Sequence, residues 1–393
     1  MQNNTWPNYS SKEISKVVDI IKSGKVNYVS GLIGKKFEYL FSKWVNQKYS
    51  VALSNGTVAL ELAIKSLKLP DKSEIMVTAR SFFSSASTIV RTGNVPKFID
   101  VDLYSQNILI EDIIKKITPK TRAIICVHLG GNPCEMKKII RIAKKYKLKI
   151  IEDCAQAHGA EIDKKKVGSF GDVATWSFCN DKIISTLGEG GMISTNKKRI
   201  YNFINSYKDH GLSFNKNKNK NEKFVYNKDY FGSNYRLTEV QSSVGIIQLE
   251  KIKDTLKKRA YIAAQYQKKL KEFNNFLYFY DPPINIKPAW YRFYIFVRKD
   301  LKGYKNLRNQ VIQEFRKKKI ICNYGSCPEI YLEKAFRNSR FKLGKRLHNC
   351  KILGQTSIAL DVNHTLAKKD IHLNSKKIYQ IVKKLTKSYI KKI

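Results

Sequence analysis

Acidic residues are scarce in this 393-residue chain: 32 Asp and Glu stand against 74 Lys and Arg, a formal charge of +42. An excess of that size suggests a polyanionic partner such as nucleic acid. The distribution argues otherwise. The lysines run through the whole chain beside many Asn and Ile residues, as an AT-rich genome would produce, and do not gather with aromatics. No nucleic-acid partner is expected, although a broad positive field would favour the approach of an anionic diphosphate substrate. Cysteines are few and scattered, at positions 126, 134, 154, 179, 322, 327 and 350, with no Cys-x-x-Cys pair. Zinc-site spacing is therefore absent and no metal is expected. An odd, dispersed set reads as free thiols in a reducing cytoplasm. Long apolar runs are missing too, and none approaches the ~18 residues needed to cross a bilayer. Met1 to Ser11 is polar and lacks an apolar signal core. The tail, Lys376 to Ile393, carries seven lysines beside Ile378, Ile381, Val382, Leu385 and Ile390, and reads as an amphipathic surface helix. The expectation is a folded cytoplasmic protein without membrane insertion.

What is present is a chain with 42% hydrophobic residues and periodic patterns nearly end to end. From about Ser50 to Thr195, strand-like runs alternate with helical ones. Glu74 to Thr78, Ala123 to Leu129 and Lys149 to Glu152 read as strands. Met136, Ile139, Ile140 and Ala143 share one face of a helix over Met136 to Lys145. Strand, helix, strand in that order predicts an α/β fold with a mostly parallel sheet flanked by helices, and ligands at the carboxyl ends of its strands. Residues 1–250 are expected to form this large domain, with a polar, mobile loop at 213–229. Helical patterns follow over Leu237 to Leu249 and from Glu250 to about Phe273. Residues 251–393, with the Asp281-Pro282-Pro283 break and a strand over Trp290 to Val297, read as a smaller α+β domain.

Three segments carry chemistry. In Ser54-Asn55-Gly56-Thr57-Val58-Ala59, a small turn opens into an apolar helix. Free N–H groups at a helix start bind anions; Gly56 lets the backbone come close and Thr57 adds a hydroxyl. In Ile151-Glu152-Asp153-Cys154-Ala155-Gln156, Asp153 falls where a buried strand ends and so faces the ligand edge. In Ser177-Phe178-Cys179-Asn180-Asp181-Lys182, the lysine lies between an aromatic-rich strand and a Gly-Glu-Gly-Gly turn. It has no flanking charge of its own sign, a setting expected to desolvate the amine and lower its pKa. An anion cradle, a lysine and a carboxylate suit one cofactor, pyridoxal 5'-phosphate (PLP). It needs these for its phosphate, its aldehyde and its pyridinium nitrogen. At a dielectric of about 20 and a separation of about 4 Å, the carboxylate–pyridinium pair is worth about 4 kcal/mol before desolvation. Phe82 or Phe83 would supply a flat partner for the ring.

With the segments SNGTVALELA, VHLGGNP, EDCAQAHGA, SFCNDKIISTLGEGGM, KDHG and FGSNYRLTEVQ, the chain resembles the DegT/StrS family of PLP-dependent sugar-nucleotide aminotransferases, of fold type I. The likeness runs from Trp6-Pro7 to Leu366. It implies that Lys182 carries the cofactor and moves the proton, while Asp153 pairs with the pyridinium. Gln156 would contact the phenolic oxygen and Phe82 would stack on the ring. Gly56, Thr57, Val58 and Ser177 would hold the phosphate. Asn234 would reach the phosphate of a neighbouring subunit, making the active unit a homodimer with shared sites. Arg236 and Tyr28 would contact substrate. The implied reaction moves an amino group from glutamate to a nucleotide-linked keto sugar, at carbon 4 of a 6-deoxy sugar or alternatively at carbon 3, for surface polysaccharide or lipopolysaccharide. Related sugar dehydratases carry His at the lysine position, and Lys182 argues against that activity. The set Asp153, Gln156 and Lys182 argues against a non-catalytic relative. Leu187-Gly188, the 215–228 segment and Val29 depart from the family pattern, and the last two bear on sugar identity.

Overall fold

The structure is a computed structural model that describes residues 6–213 and 227–391. The alternating half of the chain forms a seven-stranded sheet. In chain order its strands are β1 (Tyr49–Leu53), β2 (Glu74–Thr78), β3 (Val95–Ile99), β4 (Thr121–Val127), β5 (Lys149–Asp153), β6 (Val173–Ser177) and β7 (Gly191–Thr195). Side by side they run β1-β7-β6-β5-β4-β2-β3. The pairs among β3, β2, β4, β5 and β6 are parallel, and β7 runs against both of its neighbours. Both faces are covered, so the strands read as apolar runs rather than as alternating ones. Ile75, Val77, Ile125 and Ile151 enter one core cluster, while Met76, Ile124, Cys126 and Ile150 enter another on the opposite face.

Strand β4 ends two residues before the expected Leu129, because the chain turns at Leu129–Gly131, where Gly130 has φ 66°. The helix Met136–Lys145 has the expected bounds, but Ile142 rather than Ile140 completes its fully buried face. The two helical patterns after Leu237 form one 32-residue helix, Glu239–Leu270. No Pro interrupts it, and Thr238 with Gln241 caps its start in a reciprocal box. The expected domain division at 250/251 falls inside this helix.

A second, antiparallel sheet comprises β8 (Leu277–Phe279), β9 (Arg292–Val297), β10 (Cys322–Asn323) and β11 (Ser357–Asp361), in the order β8-β9-β11-β10. The helices Tyr304–Lys317 and Lys368–Ile390 cover it. Its Tyr294, Phe296 and Ala359 join the same apolar cluster as the large sheet, so the two sheets share core. Of the 213–229 segment, residues 214–226 lie outside the described residues; Leu212 and Lys228 pair at its base. No described helix is long and apolar enough to cross a membrane.

Gly245 lets the long helix approach the helix Ile33–Val45: a Cβ there would lie 2.6 Å from the Phe37 ring, which is fully buried. Alanine for glycine in an open helix gains about 1 kcal/mol. Here Gly245→Ala should instead cost about 1–3 kcal/mol through overpacking, read as a lower midpoint in thermal or urea unfolding.

Candidate active site

The carboxyl ends of β1, β4, β5 and β6 open into a cavity of about 920 Å³. Because β7 reverses direction, Gly191 pairs with both Leu53 and Ser177 at this edge. That register sets the start of the helix Gly56–Ser66 against the end of β6. The Asn55 side chain caps this helix by accepting from the Val58 N–H at 3.0 Å, which leaves the Gly56 and Thr57 N–H groups toward the cavity. A Cβ on Gly56 would lie 2.7 Å from the Ser177 Cβ, and one on Gly191 would lie 2.4 Å from the Asn55 carbonyl oxygen. The space is kept open by glycine at both places.

Gly56, Thr57, Val58, Phe82, Asp153, Gln156, Ser177 and Lys182 all line this cavity. Phe82 is 67% exposed there, whereas Phe83 rests against Phe336. Of the two aromatics, Phe82 is the one that presents a face to the cavity. The Gln156 carbonyl oxygen accepts from the Gly130 N–H at 2.7 Å. This fixes the amide orientation and leaves its NH₂ as the free donor.

Asp153 is buried at the end of β5. Burial lifts its carboxyl above the ordinary 3.8, while the Ala155 N–H at 3.2 Å and the Ser85 hydroxyl at 2.9 Å favour its ionised form. Ser81 in turn lies 2.9 Å from Ser85. The expectation for Lys182 is corrected by the structure. Burial pulls its ammonium down, but Tyr291 and Asp181 more than offset it and hold the group above the usual lysine value. Its Nζ lies 3.2 Å from Asp181 and 3.4 Å from the Tyr291 hydroxyl, which itself donates to Asp181. The desolvated amine is therefore a paired one.

Three expected residues lie outside this cavity within one chain. Tyr28 donates to Glu38 at 2.9 Å and lines a separate cavity with the buried Lys208–Glu38 pair. Arg236 is engaged by Asp209, and Asn234 forms a bridge with Asp209. One cluster has metal-ligating residue types, His128, Glu152 and Cys154, all buried. His128 and Glu152 already have hydrogen-bond partners. His128 Nδ1 accepts from the Cys134 N–H, which leaves the Nε2 proton toward Glu152. Glu152 also accepts from the N–H groups of Gly168, Phe170 and Gly171.

The sequence model of the DegT/DnrJ/EryC1/StrS aminotransferase family matches residues 7–378. The chain belongs to this family and is an aminotransferase. It is 38% identical over 268 residues to the GDP-perosamine synthase of Escherichia coli O157:H7, covering 67% of this chain and 70% of that protein. It is 35% identical over 288 residues to the dTDP-3-amino-3,6-dideoxy-alpha-D-galactopyranose transaminase of Aneurinibacillus thermoaerophilus, covering 73% and 76%. The X-ray structure of an aminotransferase from Psychrobacter cryohalolentis superposes with a TM-score of 0.93 at 35% identity, covering 97% of this chain and 99% of that one.

The aminotransferase cavity also holds residues that sequence reasoning missed. Ser85 follows Phe82 by three residues, so one turn of chain brings both an aromatic ring to the cavity and a donor to the Asp153 carboxylate. Tyr291 comes from 109 residues beyond Lys182 and carried no local signal. Asp181 was adjacent in sequence, and its opposite charge was the available clue.

The raised Asp153 carboxyl has a thermodynamic sign. The native state binds its proton more tightly than the unfolded chain, so stability falls as pH rises from 3.8 through the raised value. Near neutral pH the ionised group costs stability. Asp153→Asn should therefore melt at or above the wild type at pH 7 in cofactor-free protein. That advantage should vanish below pH 3.8, measured by thermal unfolding across pH.

Proposed function

We propose that this aminotransferase carries PLP on Lys182 and moves an amino group from glutamate to a nucleoside-diphosphate-linked keto sugar. The observation that carries this reading is the meeting, in one cavity, of a lysine amine, a buried carboxylate and a helix start opposite Ser177 whose Gly56 and Thr57 N–H groups are left over by the Asn55 cap. The residues present fit the cofactor. The Gly56 and Thr57 N–H groups, with the Thr57 and Ser177 hydroxyls and Val58 beside them, hold the phosphate. Asp153 holds a proton on the ring nitrogen, Gln156 donates to the phenolic oxygen, and Phe82 covers one ring face. When bound, PLP supplies an electron sink for the substrate carbon that loses its proton. Lys182 Nζ removes that proton and returns it; Asp181 and Tyr291 hold the amine in place between the two halves of the reaction.

The names of the relatives support a sugar nucleotide as amino acceptor, and the cavity also has Arg91 and Arg292 in its walls. Carbon 4 of a 6-deoxy keto sugar is the first reading. A relative named for a 3-amino sugar favours carbon 3 as the second. The product would enter surface polysaccharide or lipopolysaccharide. Lysine at 182 separates this chain from dehydratase relatives with His there. In the expected division, residues 1–250 supply the cofactor contacts, while residues 251–393 add Tyr291 and Arg292 to the wall. Asn234 and Arg236 lie outside the cavity of their own chain, which supports a homodimer in which each copy completes the other's phosphate site. Seven free cysteines suit a cytoplasmic setting.

Purified protein supplied with PLP should show a visible absorption band that glutamate removes and the correct keto sugar restores. A panel of nucleotide-linked 4-keto and 3-keto sugars then assigns the acceptor. Lys182→Ala should abolish turnover, and unchanged transamination by that variant would overturn the reading. Asp153→Asn should fold and lose activity by several orders of magnitude; near-normal turnover would refute its role on the ring nitrogen.

A further inference from the structure

The N-terminal segment reaches the lysine from outside the cavity. Trp6 Nε1 donates to the main-chain carbonyl of Lys182 at 2.7 Å, and the Tyr9 hydroxyl lies 3.1 Å from Ser185 Oγ. Two residues three apart thus engage two residues three apart, 176 positions further along the chain. The Trp6 ring packs on His364, with centroids 4.4 Å apart. His364 Nδ1 lies 3.1 Å from Arg259 Nη1, so the ring accepts there and stays neutral; burial, with Arg259 beside it, pulls it down to about 3. Arg259 is buried and donates to the carbonyls of Trp290 at 3.1 Å and Tyr291 at 2.9 Å. The Tyr291 hydroxyl closes the circuit at Lys182 Nζ.

We propose that Trp6 is a positioning residue for Lys182, the anchor of an N-terminal strap that fixes the lysine's main chain while Tyr291, held through Arg259, fixes its amine. The proposal rests on the reading of Lys182 as the cofactor-bearing lysine. The physical logic is that a long side chain reaches its target only as accurately as its Cα is held. Lys182 lies in an irregular loop, outside any helix or strand. The loop has its own turn, in which the Lys182 N–H bonds to the Cys179 carbonyl at 3.0 Å. The outward-facing carbonyl of Lys182 takes its hydrogen bond from the strap. A displacement of about 1 Å in such a group can cost about a hundredfold in rate.

The test is Trp6→Phe, which keeps an aromatic ring for His364 and removes only the Nε1 donor. Three quantities are measured on full-length protein: melting of the cofactor-free form, the rate of visible absorbance gain on adding PLP, and kcat and KM for glutamate. The expected result is unchanged melting, uptake slowed several-fold and kcat lowered about tenfold with KM within about twofold. Tyr9→Phe, which removes the second peg, should give a weaker version of the same pattern. Wild-type uptake and kcat in Trp6→Phe would overturn the proposal. So would a fall in melting that accounts for the losses, because the strap would then be a stabilising contact only. Wild-type protein that takes up no PLP would sink the cofactor reading itself, and the role of Trp6 with it.

Discussion

A carboxylate buried at the floor of the cavity is the constraint on which the site depends. Asp153 ends β5 between two parallel neighbours, β4 and β6, and is buried at the cavity wall. An ionised group there is costly unless donors and a cation face it. The Ala155 N–H and the Ser85 hydroxyl supply the donors. Lys182 supplies positive charge from across the cavity. Any ligand with a protonated ring nitrogen would complete the compensation that these groups begin, so the cavity is organised for that charge before a ligand arrives.

The reversed strand β7 makes the opposite wall. The chain leaves β6 through the 178–190 loop that holds Lys182 and returns antiparallel, which sets Gly191 between Leu53 and Ser177. Small residues follow from that geometry. The close approach of Gly191 to the Asn55 carbonyl and of Gly56 to Ser177 excludes a Cβ at either place. Sheet topology, glycine placement and the open helix start are consequences of one another.

How much of this was legible in sequence follows from how local each device is. Gly56, Asp153 and Lys182 each sit in a contiguous segment with its own turn chemistry, so residue type and order marked them, while the family resemblance marked Gln156; all four line one cavity. The parallel sheet was legible because its strands are apolar on both faces and alternate with helices. What escaped were contacts between distant segments. Nothing around Tyr291 marks it as the partner of a lysine 109 residues away. The register of β7, and with it Gly191, depends on pairing that no short window contains. The direction of the Lys182 shift was misread for a different reason: burial was weighed, whereas Tyr291 and Asp181, which together more than offset it, were not. Asn234, Arg236 and Tyr28 lie apart from the cavity of their own chain, engaged by Asp209 and Glu38.

The paired lysine changes what the loop must do. An amine held above its usual pKa by Asp181 and Tyr291 is a weak nucleophile until it gives up a proton. The same pair fixes where that amine stands. Tyr291 can play both parts because its hydroxyl contacts Nζ and donates to Asp181 at once. Its own backbone is held by Arg259, whose guanidinium is buried, and pulled by that burial down to about 10, which leaves it charged at neutral pH. Arg259 therefore needs acceptors, and it finds them in two main-chain carbonyls and a neutral histidine rather than in a carboxylate. Neutral acceptors therefore anchor the guanidinium directly, and through it the Tyr291 main chain whose hydroxyl meets the lysine amine.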